Sequence, residues 1–251
     1  LQDLGLDNVR FCPQGIDPSL FHPAPPTGFL ADRFVIFSGG KLEYRKGQDI
    51  VVAAFRAFRQ RHPEALLLTA WHNLWPQSVA TLARSPHVSG PPEITEGNLQ
   101  TTRWLCDNGL PPDSFIDLGA LSNAATAPLL READIALFPN RCEGGTNLVA
   151  MECMACGVPC ILSRNTGHLD LTVEGACYAL DRQLDIGTLA GLPSKRGWGE
   201  SGIEEIVECL EAAWRDRDEA RRRGAAAAAM MAGWSWSRQI DRLLAAISEV
   251  A

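Results

Sequence analysis

Short apolar runs closed by glycine, proline or a polar turn alternate along this chain with segments whose apolar positions recur three and four apart. "FVIFSGG" (34–40), "ALLLTAWHN" (65–73), "SFIDLGAL" (114–121), "DIALFPN" (134–140), "VPCILSRNTG" (158–167) and "ACYALD" (176–181) read as strands. Between and after them "QDIVVAAFRAFRQRHP" (48–63), "LQTTRWLCDNGL" (99–110), "NAATAPLLREAD" (123–134), "LVAMECMA" (148–155) and "GIEEIVECLEAAWRD" (202–216) read as helices. A last helix is expected in "SWSRQIDRLLAAISEV" (235–250), capped by Ser235 or Ser237. "LQDLGL" at the start reads as a helix-like stub, "VRFCPQGID" (9–17) as one further short strand, and "PSLFHPAPPTGF" (18–29) as a connector. This alternation specifies one α/β domain, a Rossmann-like, mostly parallel sheet with helices on both faces. In such sheets ligands bind beyond the carboxyl ends of the strands. The loops after Phe37, Leu118, Phe138 and Leu162 are therefore the ones to inspect.

The net charge of −7 argues against a nucleic-acid groove, and no apolar run approaches the length of a membrane span. Eight cysteines without framework spacing point to free thiols, and the Cys153/Cys156 pair sits inside an apolar helix pattern. Together these features predict a reducing, cytoplasmic setting. The mixed-charge run "RDRDEARRR" (215–223) reads as a solvated helix face. The chain opens on Leu1 and has no Met before Met151, which reads as a piece of a longer polypeptide.

Three strand ends carry chemistry. In "SGGKLEYRKG" (38–47), Gly40 permits close backbone approach, and Lys41 and Lys46 flank the start of a helix. That combination suits a phosphate, although it has neither P-loop nor GxGxxG spacing, and a surface turn with solvated lysines reads equally well. In "CEGGTNLVAMECMACG" (142–157), Glu143 precedes Gly144 and Gly145, and the helix begins near Thr146 or Asn147. Amides of such a loop suit a diphosphate or a sugar hydroxyl. Glu152 lies more than a turn into that helix, the one charge in an apolar run. A buried carboxylate needs donors. Two ribose hydroxyls would supply them, and so would a structural salt bridge to a neighbouring Arg or Lys. In "NTGHLDL" (165–171), His168 reads as incidental to the site. There is no Ser–His–Asp triad and no zinc signature.

"CPQGIDPSLFHP", "SGGKLEYRKGQDIVVAAF", "LGALSN", "ADIALFPN", "EGGTNLVAMECMACGVPCILS" and "WSWSRQIDRLL" occur in one order over nearly the whole chain. In this the chain resembles the C-terminal, nucleotide-sugar donor-binding domain of GT-B-fold retaining glycosyltransferases of family 4, the glycosyl transferases group 1. The resemblance implies one domain over 1–251. Residues 1–30 would be an interdomain segment, 234–251 a C-terminal helix, and the N-terminal acceptor domain would lie outside this chain. It implies transfer of a hexose-type sugar from a nucleoside-diphosphate sugar with retention, without a metal or other cofactor. It also implies that the fragment alone is inactive. Lys41 and Lys46 match the residues that hold the donor diphosphate, with Gly40 beside them. Leu121 and Asn123 match positions around the base. Glu143 matches the acid that contacts the transferred sugar. The loop Gly144, Gly145, Thr146, Asn147 and Leu148 matches the amides at sugar and diphosphate, and Glu152 the acid that holds the ribose. The implied partners are a nucleotide sugar, an acceptor of unspecified kind and the N-terminal domain of the same polypeptide. No nucleic acid is implied, and peripheral membrane association of the parent stays open.

Two features depart from the family pattern. Lys41 stands where Arg is usual, which keeps the charge and loses the bidentate fork. Eight residues separate Glu143 from Glu152 where the family has seven, which weakens the carry-over to Glu143 more than that to Glu152. These departures keep a second function class in view, a non-catalytic nucleotide-sugar-binding regulatory module. A dinucleotide-dependent oxidoreductase is disfavoured by the lack of GxGxxG.

Overall fold

In the computed structural model, which describes residues 5, 6, 8–186 and 197–248, six of the apolar runs pair as one parallel sheet. They are β1 (Phe34–Lys41), β2 (Ala65–His72), β3 (Phe115–Asp117), β4 (Ile135–Phe138), β5 (Cys160–Ser163) and β6 (Tyr178–Leu180). Their order across the sheet is 3-2-1-4-5-6. This is the doubly wound Rossmann order, with the strand direction of travel reversing between β1 and β4. The crevice outside that reversal is where the loops after β1 and β4 meet.

Side-chain alternation explains the two-sided core. Phe34 and Ile36 of β1 face one layer, and Val35 and Phe37 face the other. The first layer is covered by α1 (Gln48–Arg59), α2 (Thr101–Asp107) and α5 (Ile203–Arg215), through residues such as Phe55, Leu105 and Ile206. The second is covered by α3 (Asn123–Leu130), α4 (Leu148–Ala155) and α6 (Arg217–Met231), through Leu130, Met151 and Ala227. Helix α4 is apolar on nearly all sides because the sheet lies on one side and α6 on the other. That close stack needs Gly224 of α6, where an added Cβ would stand 2.0 Å from the carbonyl oxygen of Gly157. α7 (Trp236–Ser248) follows, its first turn held by the Ser235 hydroxyl accepting from the Arg238 amide at 3.4 Å. Cys153 and Cys156 are buried in the α4 layer, and all eight cysteines are unpaired.

The expected strand at 9–17 does not form. The sheet's edges are taken by β3 and β6, and Phe11 lies 71% exposed. Among the described residues the run makes one β-bridge, a parallel one at Ile16: its amide donates to Trp234 O at 2.9 Å, and the Trp236 amide donates to Ile16 O at 3.1 Å. Of the expected stub at 1–6, only residues 5 and 6 are described, and they carry no helix. The Gly/Pro loop at 87–98 and the first residue of the expected helix at 99–110 form a short hairpin, Ile94–Thr95 with Asn98–Leu99, and the helix starts at Thr101. "RDRDEARRR" spans the end of α5 and the start of α6, where Arg221, Arg222 and Arg223 pair with acids one turn back.

Candidate donor-binding site

Gly47 opens α1 in the left-handed region, φ 71°, and its Cα lies so close to Pro139 that an added Cβ would stand 2.3 Å from the Pro139 oxygen. Only glycine meets both demands. The turn that carries Lys46 is thereby pressed against the loop after β4. Lys46 Nζ makes a direct ion pair with Glu143 Oε1. Arg45 Nη1 reaches Glu143 Oε2 at 3.0 Å and the Cys142 carbonyl at 2.8 Å, and Asn140 Nδ2 also donates to Glu143. Glu143 is buried. Burial alone would raise its pKa, but the adjacent Lys46 ammonium prevails and holds the carboxyl below the usual range. Burial outweighs Glu143 at Lys46, whose pKa lies below that of an ordinary lysine.

Lys41 is placed differently. It is exposed, with Nζ 4.2 Å from the centre of the Trp75 ring. Gly40 beside it has φ 114° and open space where a Cβ would stand. Gly144 and Gly145 are exposed and likewise open. Leu121 is half-buried and Asn123 exposed at the start of α3, which the Ser122 hydroxyl caps.

The eight-residue spacing is accommodated on the opposite wall. An added Cβ on Gly167 would stand 1.5 Å from the Gly145 oxygen and 3.1 Å from Glu143 Cβ. The loop after β5 is therefore glycine where the longer loop leans on it. The Gly167 amide donates to Glu143 O at 3.2 Å, and the Glu143 amide to Thr166 Oγ1 at 2.7 Å. Thr146 Oγ1 is buried without a hydrogen-bond partner among the described residues.

Asn147 caps α4, its Oδ1 accepting from the Ala150 amide, while its Nδ2 donates to His168 Nε2 at 3.0 Å. His168 Nδ1 faces the Ser163 carbonyl at 3.2 Å, which makes Nδ1 the protonated nitrogen and Nε2 the acceptor. Fully buried, His168 is pushed down to about 4 and stays neutral. It positions the helix cap rather than facing a ligand.

Glu152 has no ion pair or hydrogen bond to its side chain among the described residues, so the structural salt bridge does not exist there. Burial raises its pKa to about 7, with no neighbouring cation to offset it. A half-buried, unpartnered acid one turn from a capped helix start is a group awaiting donors.

Sequence reasoning missed Arg141. It is fully buried, forks onto both oxygens of buried Asp49 at 2.8 and 2.7 Å, donates to the Tyr44 carbonyl at 2.7 Å and to Glu200 at 2.7 Å, and stacks 3.8 Å from the Tyr44 ring. Glu200 is shared with His87. Burial opposes its charge, yet His87 and Arg141 bring its pKa down to about 2. Arg141 thus joins the loops after β1 and β4 beneath the site. The only sequence signal was an arginine directly after a buried strand.

The family model for glycosyl transferases group 1 matches residues 25–190, which covers the loops after β1 and β4, α4 and β5. The chain belongs to the glycosyl transferases group 1. It is 26% identical over 255 residues to the D-inositol 3-phosphate glycosyltransferase of Stackebrandtia nassauensis, covering 97% of this chain and 49% of that protein. Two solved structures superpose well on the fold. HepE of Anabaena, in complex with UDP, gives a TM-score of 0.67 at 16% identity over 94% of this chain and 56% of that one. The C-terminal domain of the group 1 protein LpcC from Francisella tularensis gives 0.61 at 16% identity over 87% of this chain and 97% of that one. The chain spans about half the length of the curated relatives it matches. No helix among the described residues is long and apolar enough to cross a membrane.

Proposed function

We propose that this chain is the donor-binding half of a glycosyltransferase that moves a hexose-type sugar from a nucleoside-diphosphate sugar to an acceptor with retention of configuration. The observation that carries the reading is Glu152, a half-buried carboxylate with no partner, on the same loop-and-helix unit as the Glu143–Lys46–Arg45 cluster. Two vicinal ribose hydroxyls donating to Glu152 would satisfy it. The diphosphate would then lie over the amides of Thr146, Asn147 and Leu148 and be met by Lys41 and Lys46. As the sugar leaves, negative charge grows on that diphosphate, and these cations stabilise it without a metal. The base would sit near Leu121 and Asn123, and the sugar near Glu143 and the Gly144–Gly145 turn. The UDP held by HepE supports a nucleotide in this crevice.

The acceptor would be bound by an N-terminal domain of the same polypeptide, across the crevice, in a cytoplasmic protein. The 251-residue chain by itself therefore binds nucleotide weakly and does not turn over. The clamp of Lys46, Arg45 and Asn140 on Glu143 favours one other reading, a module that binds nucleotide sugar without transferring it, because a sugar must compete for that carboxylate. Thermal-shift titration with UDP, GDP and ADP tests the donor site. One of them should raise the melting temperature of the wild type and fail to do so with Glu152→Ala and Lys46→Ala. Equal stabilisation of all three proteins would remove Glu152 and Lys46 from the site.

A further inference from the structure

We infer that the exposed ring of Trp75 is a stacking surface for the base of the donor nucleotide. The inference rests on the donor-site reading and adds to it a residue from a loop that reading does not use. Strand order sets the geometry. β2 lies between β3 and β1, so the loop leaving β2 lies between Leu121, after β3, and Lys41, at the end of β1. A nucleotide with its base near Leu121 and a phosphate near Lys41 would pass beside this loop.

The loop is built to hold one aromatic side chain there. The Leu42 amide donates to His72 O at 2.9 Å, and Asn73 Nδ2 donates to Leu42 O at 3.0 Å, which ties the two loops together. Asn73 Oδ1 accepts the Trp75 amide at 2.8 Å, and the Trp75 carbonyl accepts the Ser78 amide at 3.0 Å. The backbone on both sides of the ring is therefore fixed. The ring itself stays out of the core, 51% exposed, next to Leu74 at 80%. Its one described ring contact is Lys41 Nζ at 4.2 Å. A fixed, half-exposed indole beside a phosphate-type lysine matches what a nucleotide presents, a π face next to an anion. Stacking tolerates any base, so Trp75 would add affinity without choosing among nucleosides.

The test uses the 251-residue chain and the variants Trp75→Ala and Trp75→Phe, titrated with UDP, GDP, ADP and inorganic pyrophosphate by calorimetry, with pyrophosphate measured in competition. Stacking predicts a roughly five- to hundred-fold loss of nucleotide affinity in Trp75→Ala. Trp75→Phe should retain most of it, and pyrophosphate should bind as to the wild type. Nucleotide affinity unchanged in Trp75→Ala would overturn the inference and leave the donor site standing. Nucleotide and pyrophosphate weakened in equal proportion would also overturn it, since the ring would then act only by holding Lys41. A wild type that binds no nucleotide would remove the donor-site reading itself. Circular dichroism on the variants checks that the exposed substitution leaves the fold intact.

Discussion

Replacing Glu152 with glutamine should stabilise this protein in neutral and alkaline solution and leave it unchanged in acid. The carboxyl is moved by burial from its ordinary 4.5 to about 7. Each tenfold change in proton affinity corresponds to about 1.4 kcal/mol, so the ionised carboxylate costs the folded chain about 3 kcal/mol. The sign follows from proton counts. Between those two pKa values the folded state keeps its proton while the unfolded chain has lost it. Unfolding then becomes easier as pH rises, until both states are ionised above the folded value. Glutamine has the same shape and no charge. Urea unfolding of both proteins from about pH 4 to 8 should show curves that coincide at the acid end and separate through pH 5–7. They should differ by about 3 kcal/mol beyond it. A nucleoside diphosphate should close the gap by giving the carboxylate its donors, and near pH 6.5 its binding should release a proton from the wild type but not from Glu152→Gln. If the variant is no more stable than wild type at pH 8, or if its advantage persists undiminished at pH 4, the carboxylate is not an unsatisfied buried charge, and its assignment to the ribose loses its basis.

Arg141→Leu should cost about 3–5 kcal/mol in urea unfolding, because it leaves Asp49 buried and unpaired; Asp49→Leu added to it should recover much of that loss, and a purely additive double variant would refute the pairing argument. Gly167→Ala should drive the Gly145 turn off its seat and weaken binding of a nucleotide sugar more than of the nucleotide alone, measured by calorimetry, because only the sugar would reach that turn. Asn147→Ala should cost about 1 kcal/mol for the lost helix cap, and in ¹⁵N NMR the His168 ring, no longer holding Asn147, should titrate at higher pH; an unchanged ring spectrum would contradict the hydrogen bond.

The strand and helix pattern was legible because burial on both faces leaves continuous apolar runs, as in "FVIFSGG" and "DIALFPN", and because each run ends where the chain turns. Glu152 was legible as an anomaly, a charge whose cost can be read without coordinates. Arg141 was not. Its partners Asp49 and Glu200 stand 92 and 59 positions away, and an arginine after a strand reads as a solvated rim residue until the loops are brought together. The same holds for His168. Its neutral state comes from complete burial, and its tautomer from the Ser163 carbonyl and the Asn147 amide converging on it, none of which has a local signature. The run at 9–17 failed as a strand for a converse reason. β-propensity describes what a segment can pair, while the available sheet edges decide whether it does.

Arg141 also bears on how a ligand is enclosed. One guanidinium joins the backbone at Tyr44, the start of α1 at Asp49 and Glu200, whose short strand Glu200–Ser201 pairs antiparallel with Gln183–Leu184, with a ring packed on its face. The tie is strongest at Asp49, since displacing it would leave the fully buried guanidinium without its bidentate carboxylate. The crevice floor is in this sense tied through one side chain, while the Lys41 ammonium and the Gly144–Gly145 turn above it are exposed. On the donor-binding reading, a partner domain closing over a sugar would meet this tied floor. Such closure would then alter the angle between two bodies and leave the floor's own geometry as the fold made it.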